Sequence, residues 1–252
     1  MSDLFWLSDA QMARLEPYFP KSHGKPRVDD RRVLSGIIFI NRNGLRWRDA
    51  PKEYGPHKTL YNRWKRWSDK GIFALMLAGL AAGHGEKKTV MIDATYLKAH
   101  RTASSLGVKK GGGGRLIGRT KGGMNTKLHA LCDSKGRPIN FFVSAGQVSD
   151  YIGARALLSS LPNVDWLLGD RGYDADWFRE ALQDKGIRAC IPGRSQRKTP
   201  VKYDKRRYKR RNRIEIMFGR LKDWRRVATR YDRCPKAFFS AIALAAIVIY
   251  WL

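Results

Sequence analysis

The hydrophobic period of the chain changes once, about a third of the way along, and that change sets the expected architecture. Up to about residue 85 apolar positions recur at helical spacing. Ser8-x-x-Gln11 has the form of a capping box, opening a first helix that should run to about Tyr18, ahead of Pro20. Asp29 or Asp30 can cap a second helix, which buries Val33, Leu34, Ile37, Ile38 and Phe39 on one face and stops near Gly44. Pro51, Gly55 and Pro56 mark a turn-rich connection. A third helix is expected from about Lys58 to Asp69, with Leu60, Trp64 and Trp67 at i, i+4 and i+7 turned to the core. Asn62, Arg63 and Arg66 then lie on another side, free to meet a partner. Helix, turn, helix with an outward basic face is the pattern of a major-groove reader. An ordinary helical bundle with a solvated charged face fits the spacing equally well.

After Gly83-His84-Gly85 the pattern becomes β-rich. Strands are expected at Thr89 to Leu97, Lys127 to Cys132 and Ile139 to Val143, with Ser134 to Pro138 as the turn between the last two. Helical and extended stretches then alternate: Ala154 to Leu161, a strand at Val164 to Leu168, a helix at Ala175 to Lys185, and a strand at Ile187 to Ile191. A long basic helix should run from about Lys205 to Trp224. Three strands in a meander followed by this alternation predict an α/β fold with a mixed sheet.

Charge changes the picture. Fifty Lys and Arg against 22 Asp and Glu leave a net +28, with a pI near 10.5. A surface this basic implies a polyanionic partner, nucleic acid first and anionic membrane second. Cys132, Cys190 and Cys234 form no Cys-x-x-Cys pair and read as buried thiols of a reducing compartment. The first ten residues lack the pattern of a signal peptide. The apolar run Ala237 to Leu252 is 16 residues, short of the roughly 20 a spanning helix needs, so a buried terminal helix is expected and no membrane. Gly113, Gly118, Arg119 and Thr120 miss the phosphate-binding loop pattern at its lysine and precede a strand, which leaves a basic loop able to touch DNA.

Three acids stand out. Asp93 lies within the apolar run Val90 to Thr95, and Asp170 ends the run Trp166 to Gly169, before Arg171-Gly172-Tyr173-Asp174. Acids at the ends of buried strands are costly unless they bind something, and two on neighbouring strands can share a divalent metal. Each alone would read as a strand-end cap or an arginine partner. The third is Glu215. Tyr208, Arg211, Glu215 and Lys222 follow Tyr-x2-Arg-x3-Glu-x6-Lys and fall on one helical stripe. Glu215 can complete a metal site while Arg211 and Lys222 grip phosphates; an intrahelical Arg211–Glu215 pair is the plainer alternative. Between Arg194 and Arg233 stand 17 Lys or Arg and only four acids.

With these motifs in this order, nearly the whole chain resembles the DDE transposases of bacterial insertion sequences, specifically the family named after insertion sequence five. The Tyr208 to Lys222 spacing is that group's signature. Gly44 to Pro51 resembles its N-terminal domain, Gly122 to Leu131 its second strand, and Ala228 to Asp232 its C-terminal segment. The resemblance implies a ribonuclease-H-like catalytic domain with Asp93, Asp170 and Glu215 as catalytic acids, holding two Mg²⁺ ions for which Mn²⁺ can substitute. Asp93 would bridge both ions, with Asp170 on one and Glu215 on the other.

The expected layout is a helical, helix-turn-helix-type DNA-binding domain over 1–85, the catalytic domain over 86–235, and a C-terminal helix over 236–252 packing on it. The expected activity is cleavage at the terminal inverted repeats of an insertion sequence and joining of the 3′-hydroxyls to target DNA. Tyr173 or Tyr208 would pack against the displaced end, and Asn62, Arg63 and Arg66 would read DNA. Double-stranded DNA is the expected partner, a homodimer or larger assembly pairs two ends, and the location is cytoplasmic, with the nucleoid. Two readings compete: a DNA-binding repressor or nucleoid-type protein, which needs no acidic triad, and a structure-specific nuclease on the same fold. Lys109-Lys110 before four glycines also implies a slip-prone message, hence synthesis by frameshifting.

Overall fold

The computed structural model describes residues 3–21, 28–83, 88–105 and 114–252. Most of the glycine-rich loop, with Lys109-Lys110, lies outside them. Ser8 Oγ accepts from the Gln11 amide at 3.1 Å and Gln11 Oε1 accepts from the Ser8 amide at 3.0 Å, a reciprocal cap that starts α1 (Asp9–Leu15). The helix stops short of Tyr18, because Pro17 has no amide hydrogen and Glu16–Tyr18 tightens into a 3-10 turn. α2 (Asp30–Asn43) is capped by Asp29 and closed by Gly44 at φ 72°; two 3-10 turns lead to α3 (His57–Asp69). A further helix, α4 (Ile72–Ala82), lies in the part read as helical, where no separate element was delimited. Its sequence is apolar on every side, so it shows no helical period to read.

The structure corrects the outward placement of Arg63. Residue 63 stands three positions after Leu60 and four before Trp67, inside the buried stripe of α3. Its guanidinium pairs with Asp30 of α2 and lies 5.2 Å from the Trp67 ring centre. Asn62 and Arg66 do remain exposed.

Among the described residues the sheet has seven strands: β1 (Thr89–Ala99), β2 (Gly118–Thr120), β3 (Gly123–Asp133), β4 (Pro138–Ala145), β5 (Trp166–Leu168), β6 (Arg188–Cys190) and β7 (Thr229–Arg230). A single helical turn, α5 (Arg101–Ser104), follows β1. β1 is central, antiparallel to β3 and parallel to β5, with β7 beside its end; β4 lies on the other side of β3 and β6 beyond β5. The period-2 alternation sorts the sheet into two faces. Val90, Ile92, Leu131 and Leu167 face α6 (Asp150–Leu158) and α7 (Asp176–Asp184). Met91, Leu97, Leu128, Ala130 and Leu168 face a larger core on the other side.

That larger core is shared with the N-terminal helices. α11 (Pro235–Ala246), ending in a wider π-helical turn at Ile247–Trp251, packs on α2, α3 and α4 as well as on β4. The expected long basic helix is broken into α8 (Lys205–Tyr208), a 3-10 turn at Lys209–Arg211, and α9 (Asn212–Lys222). Like charges at i, i+3 and i+4 in Lys-Arg-Arg-Tyr-Lys-Arg-Arg oppose an uninterrupted helix there. α10 (Arg225–Ala228) then packs against α2; Arg226 donates to the Leu45 carbonyl at 2.8 Å. Cys132 and Cys190 are buried, whereas Cys234, expected to be, is only half-buried. Among the described residues no helix is long and apolar enough to cross a membrane.

Candidate active site

The parallel pairing of β1 with β5 positions the first two acids. Met91 pairs with Leu168, and continuing that register by two residues sets Asp93 beside Asp170, on the face that carries Met91 and Leu168. Asp93 Oδ1 accepts from the Ala94 amide at 2.8 Å. Asp170 caps a 3-10 turn at Arg171–Tyr173, its Oδ1 accepting from the Gly172 amide at 2.8 Å. Burial pushes the Asp93 carboxyl up to about 6; the Arg211 guanidinium and the Ala94 amide oppose that shift, and the neighbouring Asp170 adds to it.

α9 crosses the same face. Ile214, Met217, Phe218 and Leu221 anchor it in the core, which leaves Glu215 56% exposed. Arg211 ties the helix to the strand: one nitrogen donates to Asp93 Oδ2 at 2.7 Å and the other to Glu215 Oε1. About two turns beyond Glu215, Lys222 Nζ donates to Thr95 Oγ1 at 2.8 Å, two residues from Asp93 on the same strand face. The Tyr208 ring lies between Tyr203, at 5.4 Å, and the Arg211 guanidinium, at 5.8 Å. Three acids, two cations and a phenol predicted from separate motifs thus gather around the middle of β1. Among the described residues, no three His, Cys, Asp or Glu side chains are close enough together to hold a metal ion. The positive charge between Asp93 and Glu215 is the Arg211 guanidinium.

Tyr173 departs from expectation. It is 1% exposed, packed among the apolar residues of the α6–α7 face, and cannot stack on a displaced DNA end. Asp174, quoted in the Asp-Arg-Gly-Tyr-Asp motif but given no role, proves to be the knot that holds the segment. Its carboxylate accepts from Arg179 Nε at 2.8 Å, the Arg194 amide at 2.7 Å and Arg197 Nε at 3.0 Å. Burial alone would raise the Asp174 carboxyl; these donors outweigh burial and bring it down to about 2. Sequence reasoning also missed Lys127 and Asp150, an ion pair whose carboxylate lies beside Gly172, two residues past Asp170. The signal was a lysine in the middle of a strand buried on both faces.

An antiparallel three-strand meander, parallel strands after it, and two acids, one within β1 and one just beyond the parallel β5, facing a helix that brings a third acid define a nucleic-acid-processing site of ribonuclease-H-like type. The family described as "Transposase DDE domain" matches residues 84–251, and the chain belongs to it; the family described as "Putative transposase of IS4/5 family" matches residues 7–77. The chain is a DDE transposase, of a family that works with divalent metal ions. It is 36% identical over 130 residues to a "Putative transposase for insertion sequence element IS6501" of Brucella ovis, covering 51% of this chain and 99% of that one. It is 27% identical over 156 residues to a "Putative transposase for insertion sequence element IS402" of Burkholderia cepacia, covering 54% of this chain and 72% of that one. Among solved structures, the piggyBac transposase in a synaptic complex with hairpin DNA superposes with a TM-score of 0.54 at 10% identity, over 95% of this chain and 70% of the other, a likeness of fold.

Proposed function

We propose that this transposase binds the terminal inverted repeats of its insertion sequence, cuts the element ends and joins the freed 3′-hydroxyls to target DNA, with Asp93, Asp170 and Glu215 as the catalytic acids. The observation that carries the assignment is the convergence of Asp93 and Asp170 on adjacent parallel strands with Glu215 tied to Asp93 through Arg211. The donor set fits a hard divalent cation: it is all carboxylate oxygen, and the largest offset to the burial of Asp93 is a positive charge, that of Arg211. Asp93, Asp170 and Glu215 would hold Mg²⁺, two ions in our reading, with Mn²⁺ able to substitute. Such ions supply charge stabilisation at the attacking and leaving oxygens of an in-line phosphoryl transfer.

The chain's own residues divide the remaining work. Arg211 neutralises the acids before substrate arrives and, once released from them, presents its planar fork to a phosphate. Lys222, now on Thr95, is a second phosphate donor at the other end of the same helix, and Tyr208 packs beside the DNA end. Asn62 and Arg66 are the exposed polar groups of α3 that remain for reading DNA, within an N-terminal part over 1–85 that we assign to DNA binding. The catalytic part then runs over 86–235, with the C-terminal helical segment over 236–252 packed on it. Two element ends call for a dimer or larger assembly. Incubating purified protein with its own flanking DNA and Mg²⁺, then mapping the ends, tests the reading. Cuts at the repeat termini and joined products are expected; random nicking without joining would instead support a nuclease.

A further inference from the structure

Asp150, Lys127 and Tyr173 have no part in the function proposed above, yet Asp150 and Lys127 pair beside Gly172, two residues past Asp170, and Tyr173 follows that glycine. Asp150 opens α6 on the sheet face opposite α9, and still its carboxylate reaches the end of β5. A Cβ placed on Gly172 would lie 2.8 Å from Asp170 Oδ1 and 3.4 Å from Asp150 Oδ2, so those two oxygens are within about 6 Å of each other. Any side chain at position 172 would fill the gap between the two carboxylates, and glycine leaves it open. Lys127 fixes the orientation of Asp150: its Nζ donates to Asp150 Oδ1 at 3.0 Å and to the Val148 carbonyl at 2.6 Å, from a side chain 7% exposed. One carboxylate oxygen of Asp150 is therefore spent on Lys127, while the other faces Gly172.

The second observation is the Tyr173 hydroxyl. It is buried and has no hydrogen-bond partner among the described residues, which is costly when nothing offsets it. Burial pushes its proton affinity well up, and the charges acting on it are Asp150 first, then Asp93 and Asp170, with Arg211 opposing. A buried phenol without a partner, next in the chain to the gap at Gly172, is placed to bond a group that enters that gap.

We propose that Asp150 and the Tyr173 hydroxyl are positioning residues that grip the water shell of the cation held by Asp170, with Lys127 setting the angle of Asp150. The inference rests on the reading of Asp93 and Asp170 as cation ligands. Mg²⁺ and Mn²⁺ bound by few protein ligands keep several waters. A carboxylate that accepts from such a water and a phenol that can both donate and accept suit that shell.

The test is Mn²⁺ binding to the full chain, read from the free Mn²⁺ signal in electron paramagnetic resonance, beside the melting temperature in EDTA. Tyr173→Phe removes only an unpartnered oxygen, so the metal-free melting temperature should stay or rise while the Mn²⁺ Kd rises about 10-fold. Asp150→Asn should raise the Kd similarly. If it fails to fold because Lys127 is left unpaired, the double change Lys127→Met with Asp150→Asn removes the whole pair and gives the same readout. Parental Kd values in Tyr173→Phe and in the folded Asp150 variant, with Mn²⁺ binding lost in Asp93→Asn, would overturn this inference alone. Parental binding in Asp93→Asn would overturn the cation-site reading and this inference with it.

Discussion

The Arg211 guanidinium spans two acids that lie 122 positions apart in the chain, donating to Asp93 Oδ2 at 2.7 Å and to Glu215 on its own helix. The arginine neutralises a strand acid and a helix acid together, so the arrangement is stable before any cation binds. Removing Arg211 leaves a buried carboxylate without its partner. Arg211→Ala should lower the stability of the metal-free protein by about 3 kcal/mol, and added Mg²⁺ should restore much of it. Arg211→Lys should recover only part, because an ammonium cannot present two parallel donors. Thermal melts with and without Mg²⁺ check both; equal melting of parent and Arg211→Ala in EDTA would show that the bridge carries no weight.

Arg63 gives a prediction that separates a structural arginine from a DNA-reading one. Its partner Asp30 and the Trp67 ring make it a strut between α2 and α3. Arg63→Ala should cost about 3 kcal/mol of stability through the lost ion pair with Asp30 and the lost packing on Trp67. Arg66→Ala and Asn62→Ala, on the exposed side, should leave the melt unchanged and weaken binding to the element ends. Denaturant melts and gel-shift titrations of the three variants give the comparison.

That error shows where the sequence was legible and where it was not. The helix itself, its Leu60–Trp64–Trp67 stripe and the caps of α1 and α2 follow from local spacing, and the structure has them. A stripe drawn one residue too narrow put Arg63 on the wrong side, and only the position of α2 reveals that Asp30 receives it. α4 escaped notice because a uniformly apolar helix has no period. At the site, Asp93, Asp170 and the Tyr208 to Lys222 stripe were readable because acids in apolar runs and charges at helical spacing are local signals. Asp150 and Lys127 were not, since their relation to Asp170 depends on how α6 lies across the end of β5, which is long-range packing.

His129 should make stability depend on pH. It is wholly buried, with Nε2 bonded to Ser144 Oγ at 2.8 Å, and a Cβ on Gly153 would touch its ring. Burial lowers its pKa to about 4, with Lys127 adding to the shift and Asp150 opposing it. Between about 4 and the ordinary value of about 6.5 the unfolded chain binds a proton at His129 that the folded chain does not. Stability from this group is therefore complete above pH 6.5 and is lost as pH falls toward 4, by roughly 2–3 kcal/mol. The difference in unfolding free energy between parent and His129→Gln, measured at pH 7.5 and 4.5, isolates it; a pH-independent difference would contradict the buried neutral imidazole.

Phosphate contacts should dominate DNA binding, since the net charge is +28 and Lys205, Arg206, Lys209, Arg210 and Arg213 are all exposed around α8 and α9. Raising salt from about 50 to 200 mM should weaken binding by at least ~10³, as for a protein making several phosphate contacts. Fluorescence anisotropy across that range checks it, and a flat salt dependence would remove the electrostatic account.

The central claim is that Asp93, Asp170 and Glu215 perform the chemistry and do not serve recognition. Asp93→Asn, Asp170→Asn and Glu215→Gln each keep the shape of the side chain and remove one ligand charge. The decisive measurement is cleavage and strand transfer by each folded variant on its own flanking DNA in Mg²⁺, with binding of the same DNA measured in parallel. All three should bind at close to the parental affinity while cutting and joining fall by at least about 10³. Parental rates of joining in folded Glu215→Gln, or in either aspartate variant, would contradict the assignment.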